Sequence, residues 1–170
     1  VSANQFVSVA GTGKQELRTA ISTSGGAGDA SKIVQTDAAG KLDSTLMPVG
    51  LGVDTEVIAT SENLTAGQFV NIYVLSDVRT ARLADSNNSR VAHGFVLTAT
   101  TSPANATVYK SGTNTQFTGL TPGEEQFLGT AGARTTAPAI ASPAQIIQSL
   151  GYSSDETEVV FTFQSPTLIV

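Results

Sequence analysis

Leu64-Thr65-Ala66-Gly67-Gln68-Phe69-Val70-Asn71-Ile72 begins as a turn and ends as a strand. Gly67 supplies the backbone freedom that a tight turn requires. Val70, Ile72 and Val74 then recur at every second position, the period of a strand with one apolar face. About 55 residues later, Leu120-Thr121-Pro122-Gly123 leads toward Phe127 in the same manner. Other landmarks repeat in the same order. Arg79-Thr80-Ala81 is matched by Arg134-Thr135-Thr136-Ala137, and His93-Gly94-Phe95 by Leu150-Gly151-Tyr152. Each copy closes on a β-branched or aromatic run, Ala106 to Lys110 and then Glu158 to Phe163. Leu-Thr-x-Gly by itself is a common turn, but a whole series of landmarks in one order points to an internal duplication. The expectation is an all-β fold in which two pseudo-repeated β-units cover each other's apolar faces as a small β-sandwich or barrel.

Working outward, strand patterning holds from Val53 to the end. Val91, His93, Phe95 and Leu97 alternate, as do Val159, Phe161 and Phe163. Val57-Ile58, Ala106 to Tyr109 and Ile146-Ile147 supply further strand centres between Gly and Pro turns. No segment carries a long helical period. Residues 53–170 therefore read as the β-sandwich or barrel domain.

Residues 1–52 differ in kind. They are rich in Gly, Ala, Ser and Thr, and Phe6 is their one aromatic residue. Phe6-Val7-Ser8-Val9 alternates and reads as an edge or added strand. Lys14 to Ile21 reads as a short helix, with Leu17 and Ile21 one turn apart. Ser22 to Gly28 reads as a flexible joint. Ile33-Val34 and Lys41-Leu42 flank Asp37-Ala38-Ala39-Gly40, which reads as a small hairpin. Asp43 or Ser44 then caps a last helical turn ended by Pro48. So little apolar mass cannot bury itself. This segment reads as an extended arm, with a short helix and a hairpin, that docks on other subunits.

Composition narrows the function. The 170 residues are 40% hydrophobic but only 14% charged, so a modest core is available and surface charge is sparse. Net charge is −5 and no Lys or Arg run occurs, so the cationic footprint of nucleic-acid or membrane-surface binding is missing. The absence of cysteine rules out disulfides, thiolate metal sites and a cysteine nucleophile. Oligomerisation is then the expected source of added stability. Val1 to Ala10 has neither the cationic start nor the long apolar run of a secretory signal, and no stretch is long and apolar enough for a membrane-spanning helix. The Asn63, Asn87 and Asn105 sequons are accordingly read as chance.

No constellation suggests catalysis. Gly11-Thr12-Gly13-Lys14 resembles a phosphate loop only in part: Ser8 and Gln15 stand where that loop needs Gly and Ser or Thr. His93 is the single histidine, and an imidazole without orienter or co-ligand reads as a half-buried strand residue. Asp29, Asp37 and Asp43 lack calcium-loop spacing and read as turn and cap residues. Asp155, Glu156 and Glu158 fall in a polar turn, where nothing drives their pKa values apart; Glu124-Glu125 reads the same way. No nucleophile elbow occurs. Phe69, Tyr73, Phe95, Tyr109, Phe127 and Tyr152 are enough for a sugar-stacking platform, but their strand positions favour packing. We therefore expect no enzyme, no cofactor and no metal.

The stretch Gly28-Asp29-Ala30-Ser31-Lys32-Ile33-Val34, continuing through Asp37-Ala38-Ala39-Gly40-Lys41-Leu42-Asp43-Ser44-Thr45-Leu46-Met47-Pro48, resembles a linker module of tailed-bacteriophage virion proteins. That module precedes the globular parts of head decoration proteins and fibres. Ser31 stands where the family often has Gly. Leu64 to Ile72, Val91 to Val96 and Gly119 to Gly123 also resemble phage head proteins. The resemblance implies a capsid decoration (cement or head-fibre) protein: a homotrimer on the virion's capsid surface, assembled in the host cytoplasm. Its N-terminal arm would contact the major capsid protein. On apolar character, Phe6, Val7, Val9, Leu17 and Ile21 are the expected capsid-binding residues. Ile33, Val34, Leu42, Leu46 and Met47 are the expected inter-subunit packing residues. The alternative reading is a tail-fibre or receptor-binding protein recognising host surface glycans.

Overall fold

The computed structural model describes residues 5–9, 11–47, 54–138 and 145–168. The chain divides into two compact units, Val1–Gly52 and Val53–Val170.

In the first unit, β1 (Gln5–Val9) and β2 (Gln15–Thr19) form an antiparallel hairpin with Val7 opposite Leu17 and Val9 opposite Gln15. The short helix expected over Lys14 to Ile21 is thus a strand. A helix of that length is marginal in water, and Glu16 and Arg18 alternate with Gln15, Leu17 and Thr19 at the strand period. Gly13, at φ 78°, lets the chain fold back onto β1. The hairpin expected around Asp37 is a turn without strands. Asp37 Oδ1 accepts from the N–H groups of Ala39 and Lys41 at 2.9 and 2.8 Å, but Val34 makes a parallel bridge to Ile21 instead of pairing with Leu42. The Ile21 N–H donates to Ile33 O and its carbonyl accepts from the Gln35 N–H, so the backbone that a hairpin arm would need is already occupied. The Ser22 to Gly28 joint is tied at two points: the Gly25 N–H donates to nearby Asp29 Oδ2, and the Ser24 N–H to Thr45 Oγ1, distant in sequence. Asp43 caps a single 3-10 turn, Ser44–Leu46, through the Thr45 N–H and hydroxyl. Pro48 lies outside the described residues.

The second unit is all-β. Five strands, β3 (Thr55–Thr60), β4 (Phe69–Leu75), β5 (Val78–Leu83), β6 (Gly94–Phe95) and β7 (Asn105–Tyr109), close into a barrel in the order β3-β5-β4-β6-β7. A five-stranded sheet follows, from β8 (Gly112–Asn114), β9 (Glu125–Leu128), β10 (Arg134–Thr135), β12 (Ser149–Ser153) and β13 (Val159–Phe161). Its order is β10-β9-β12-β13-β8. Between β10 and β12 in sequence, β11 (Ile146–Ile147) pairs with the last described strand, β14 (Thr167–Leu168).

The two sheets are one topology drawn twice. Substituting β8, β9, β10, β12 and β13 for β3, β4, β5, β6 and β7 turns the barrel order into the sheet order. The one difference is closure: β3 meets β5 in parallel at Ala59 and Thr80, whereas β8 and β10 remain the two edges of an open sheet. The repeated sequence landmarks do the same work in each copy. Leu64 and Leu120 are both buried. Gly67 and Gly123 turn at φ 87° and 83°, each followed by a residue whose N–H donates back to Thr65 or Thr121. Gly94 and Gly151 both lie under the neighbouring strand, where a Cβ would collide with the Tyr109 or Val160 carbonyl oxygen.

Two apolar clusters follow from this arrangement. Ile58, Leu64, Val70, Ala81, Val96, Ala106 and Val108 fill the barrel. Phe69, Ala84, Ala92 and Phe95 from the first copy pack against Leu128, Ile146, Leu150 and Phe161. The Phe161 ring centroid lies 5.6 Å from Phe69 and 5.8 Å from Phe95. Each fully buried Phe contributes about 1.5–3 kcal/mol relative to exposure, so this seam binds the two copies into one unit.

Candidate functional site

The described part of the first unit contains no buried residue. Alternation along the hairpin puts Val7, Val9 and Leu17 on one face and Phe6, Ser8, Glu16 and Arg18 on the other. Val7, Val9 and Leu17 are 55%, 70% and 59% exposed, and Phe6 is half-buried. Each strand of the hairpin has one hydrogen-bonding edge paired and the other open among the described residues. Ile21 is half-buried and bridged to Val34. Ile33, Val34, Leu42 and Met47 are exposed, and Leu46 is half-buried. The structure therefore gathers Val7, Val9 and Leu17 of the expected capsid-binding set into one patch and separates Phe6 from them. Of the expected packing set, it joins Val34 to the Ile21 bridge. Lys14, Arg18, Lys32 and Lys41 are balanced by Glu16, Asp29, Asp37 and Asp43, so residues 1–52 carry no net charge. The surface offers exposed apolar side chains and open main-chain edges, with no net charge for electrostatic steering.

A second feature lies at one end of the barrel, where β3 and β5 begin and β4 and β7 end. It is an open cleft of about 530 Å³. Ile72, Tyr73 and Val74 of β4 line it, with His93 and Phe163 stacked on each other at 6.1 Å. Its rim is a row of paired charges. Lys110 Nζ lies 3.1 Å from Asp54 and 3.7 Å from Glu56, and Arg79 lies 2.7 Å from Glu56. Burial, with Arg79 adding to it, holds the His93 imidazole below its usual pKa, so the ring is neutral near pH 7. His93 Nδ1 accepts from the Ile72 N–H at 2.9 Å, which puts the ring proton on Nε2. Asn71 also approaches Nδ1, at 3.4 Å, and is itself held by Val91 O and Arg82. Arg82 stacks over the Tyr73 ring at 4.0 Å.

The sequence marks His93 but not its neighbours. Asp54, Arg79, Lys110 and Phe163 come from separate segments, and no local pattern links them. The aromatic residues that could make a sugar platform are dispersed: Phe69 and Phe95 are buried, Tyr73, Tyr109 and Phe127 are half-buried, and Tyr152 is exposed. The acidic residues have local duties. Asp155 Oδ1 accepts from the Thr157 N–H and hydroxyl, which lowers its pKa, and hydrogen bonds from Lys32 and Gly25 do the same for Asp29. Among the described residues, no group of His, Asp and Glu is arranged to hold a metal ion. No described helix is long and apolar enough to cross a membrane.

Neither a protein-family model nor a curated protein sequence matches the chain. Among solved structures, the chain is similar to the head fiber gp8.5 N base of bacteriophage phi29. That similarity has 13% identity and a TM-score of 0.46, over 70% of this chain and 94% of that one.

Proposed function

We propose that this chain is a non-enzymatic virion protein that decorates and cements the exterior of a tailed-phage capsid. It acts as a trimer whose residues 1–52 grip neighbouring major capsid protein subunits. The observation that carries this reading is the apolar hairpin face of Val7, Val9 and Leu17, in a unit whose described residues include none that are buried. A two-stranded ribbon is marginal on its own in water and needs a covering surface. Its open edges suit strand addition, in which main-chain hydrogen bonds supply affinity without large side chains. The linker-like stretch from Gly28 to Pro48 supports the same reading. The second unit has its own core, so it stays folded by itself while the first unit docks. Bridging adjacent subunits adds buried area to a shell that must resist internal DNA pressure.

The test is co-sedimentation with capsids of the cognate phage stripped of this protein. The full chain binds, and a chain lacking residues 1–52 does not. A Val7→Ser/Leu17→Ser double variant binds at least about tenfold more weakly, as expected for removing two central apolar contacts. Sedimentation equilibrium should return the mass of a trimer. Failure of the full chain to bind would overturn the assignment.

A further inference from the structure

The cleft at the barrel end is a second site, distinct from the apolar hairpin, and its chemistry specifies a ligand. We propose that it binds a neutral saccharide, with one pyranose face on Phe163 and Val74 and the sugar hydroxyls on the charged rim. The inference goes beyond the capsid reading and does not depend on it.

The cleft volume, about 530 Å³, lies within the range of small-molecule sites. The mouth of a barrel is a common place for such a site. Phe163 remains 47% exposed although one face rests on His93. An exposed ring held by a stacked neighbour is a rigid platform. Its electron-rich face attracts the slightly positive C–H groups that a pyranose presents on its apolar side.

The rim decides the charge of the ligand. Arg79 and Lys110 are matched by Glu56 and Asp54. An anion would have to displace these carboxylates and then sit beside them. A cation would meet the two basic groups. A hydroxyl both donates and accepts, so it bonds to either member of a pair without breaking the row. The ion pairs also hold their side chains in place before the ligand arrives, which lowers the ordering cost of binding. Neutral His93 adds one Nε2–H donor next to the platform.

His93 is the only histidine, so its imidazole signals in a labelled full-length protein report this cleft alone. The titrants are the methyl glycosides of glucose, galactose and N-acetylglucosamine at millimolar concentration, with glucuronate as the anionic arm. A saturable shift of the His93 signals with at least one neutral glycoside is expected, with glucuronate weaker. Phe163→Ala should weaken binding about tenfold, the order expected for losing one aromatic contact. Should that variant fail to fold, Asp54→Asn, at a largely exposed rim position, should also weaken binding. The proposal is overturned if no neutral glycoside shifts His93, if glucuronate alone does, or if binding survives both substitutions unchanged. None of these outcomes bears on capsid co-sedimentation, so the two readings fail separately.

Discussion

Gln148 offers the sharpest test of how the two copies are joined. Its side chain is fully buried, and its amide grips the backbone of Ala92 in the first copy from both sides. The Ala92 N–H donates to Gln148 Oε1 at 2.7 Å, and Gln148 Nε2 donates to Ala92 O at 2.9 Å and to Gln164 O at 3.0 Å. Gln148→Ala removes all three bonds. Ala92 is itself buried, so its N–H and carbonyl are left without partners, at about 1–3 kcal/mol each. The expected loss is about 2–6 kcal/mol, a large share of the roughly 5–15 kcal/mol that holds a domain together. Gln148→Glu separates this account from simple loss of volume. Glu keeps an acceptor for the Ala92 N–H but turns its other oxygen toward two carbonyls and buries a charge. At pH 7 it should be less stable than Gln148→Ala. It should recover as the pH falls and the acid regains a donating O–H. The assay is urea denaturation followed by circular dichroism, since the chain has no tryptophan, at one fixed protein concentration. A loss below about 1 kcal/mol for Gln148→Ala, less than one orphaned group should cost, would refute the reasoning. So would a Glu variant more stable than the Ala variant at neutral pH.

Gly94→Ala and Gly151→Ala should each destabilise by about 1–3 kcal/mol or more, because the new methyl group meets a strand carbonyl at both sites, and Gly151 also sits at φ 117°. Equal stability of either variant in a thermal melt would contradict the equivalence of the two copies. For pH, the folded state holds His93 below its usual 6.5, so the unfolded chain takes up the proton first. His93 should therefore add stability that is complete above pH 6.5 and lost as the pH falls through that value toward the folded pKa. Melting temperature should drop between pH 7.5 and pH 5, and His93→Asn should flatten that window, whereas Asp29, Asp43 and Asp155, with lowered pKa values, act only below about pH 4. An unchanged slope in the variant would count against burial of the ring. The Val7→Ser/Leu17→Ser variant should lose capsid binding while the second unit melts as in wild type; a falling melting temperature would show that the patch is covered within the molecule.

The duplication was legible in the sequence because a turn glycine, a crowded glycine and a buried leucine are local requirements. Each copy must meet them at the same points, so Gly67 and Gly123, Gly94 and Gly151, and Leu64 and Leu120 stand in matching order. Strand identity in the second unit was legible for the same reason: alternation is a property of neighbours along the chain. Closure was not. Whether β3 meets β5 or β8 and β10 stay apart depends on strands far apart in sequence, which only the folded sheet brings together. The arm divides the same way. The turn and cap roles of Asp37 and Asp43 act within a few residues and could be read directly. Leu17 and Ile21 fit a helix turn as well as a strand, and the choice fell to pairing with Val7 and bridging with Val34. The cleft was the least legible feature. His93 was visible as a lone imidazole, but Arg79, Lys110 and Asp54 become its neighbours only because the barrel brings the ends of β3, β5 and β7 together, and Phe163 only because the chain beyond β13 of the second sheet stacks on it. Sequence by itself determined what each segment prefers to be; tertiary structure decided which segments meet, because contacts between distant residues arise only when the chain closes on itself.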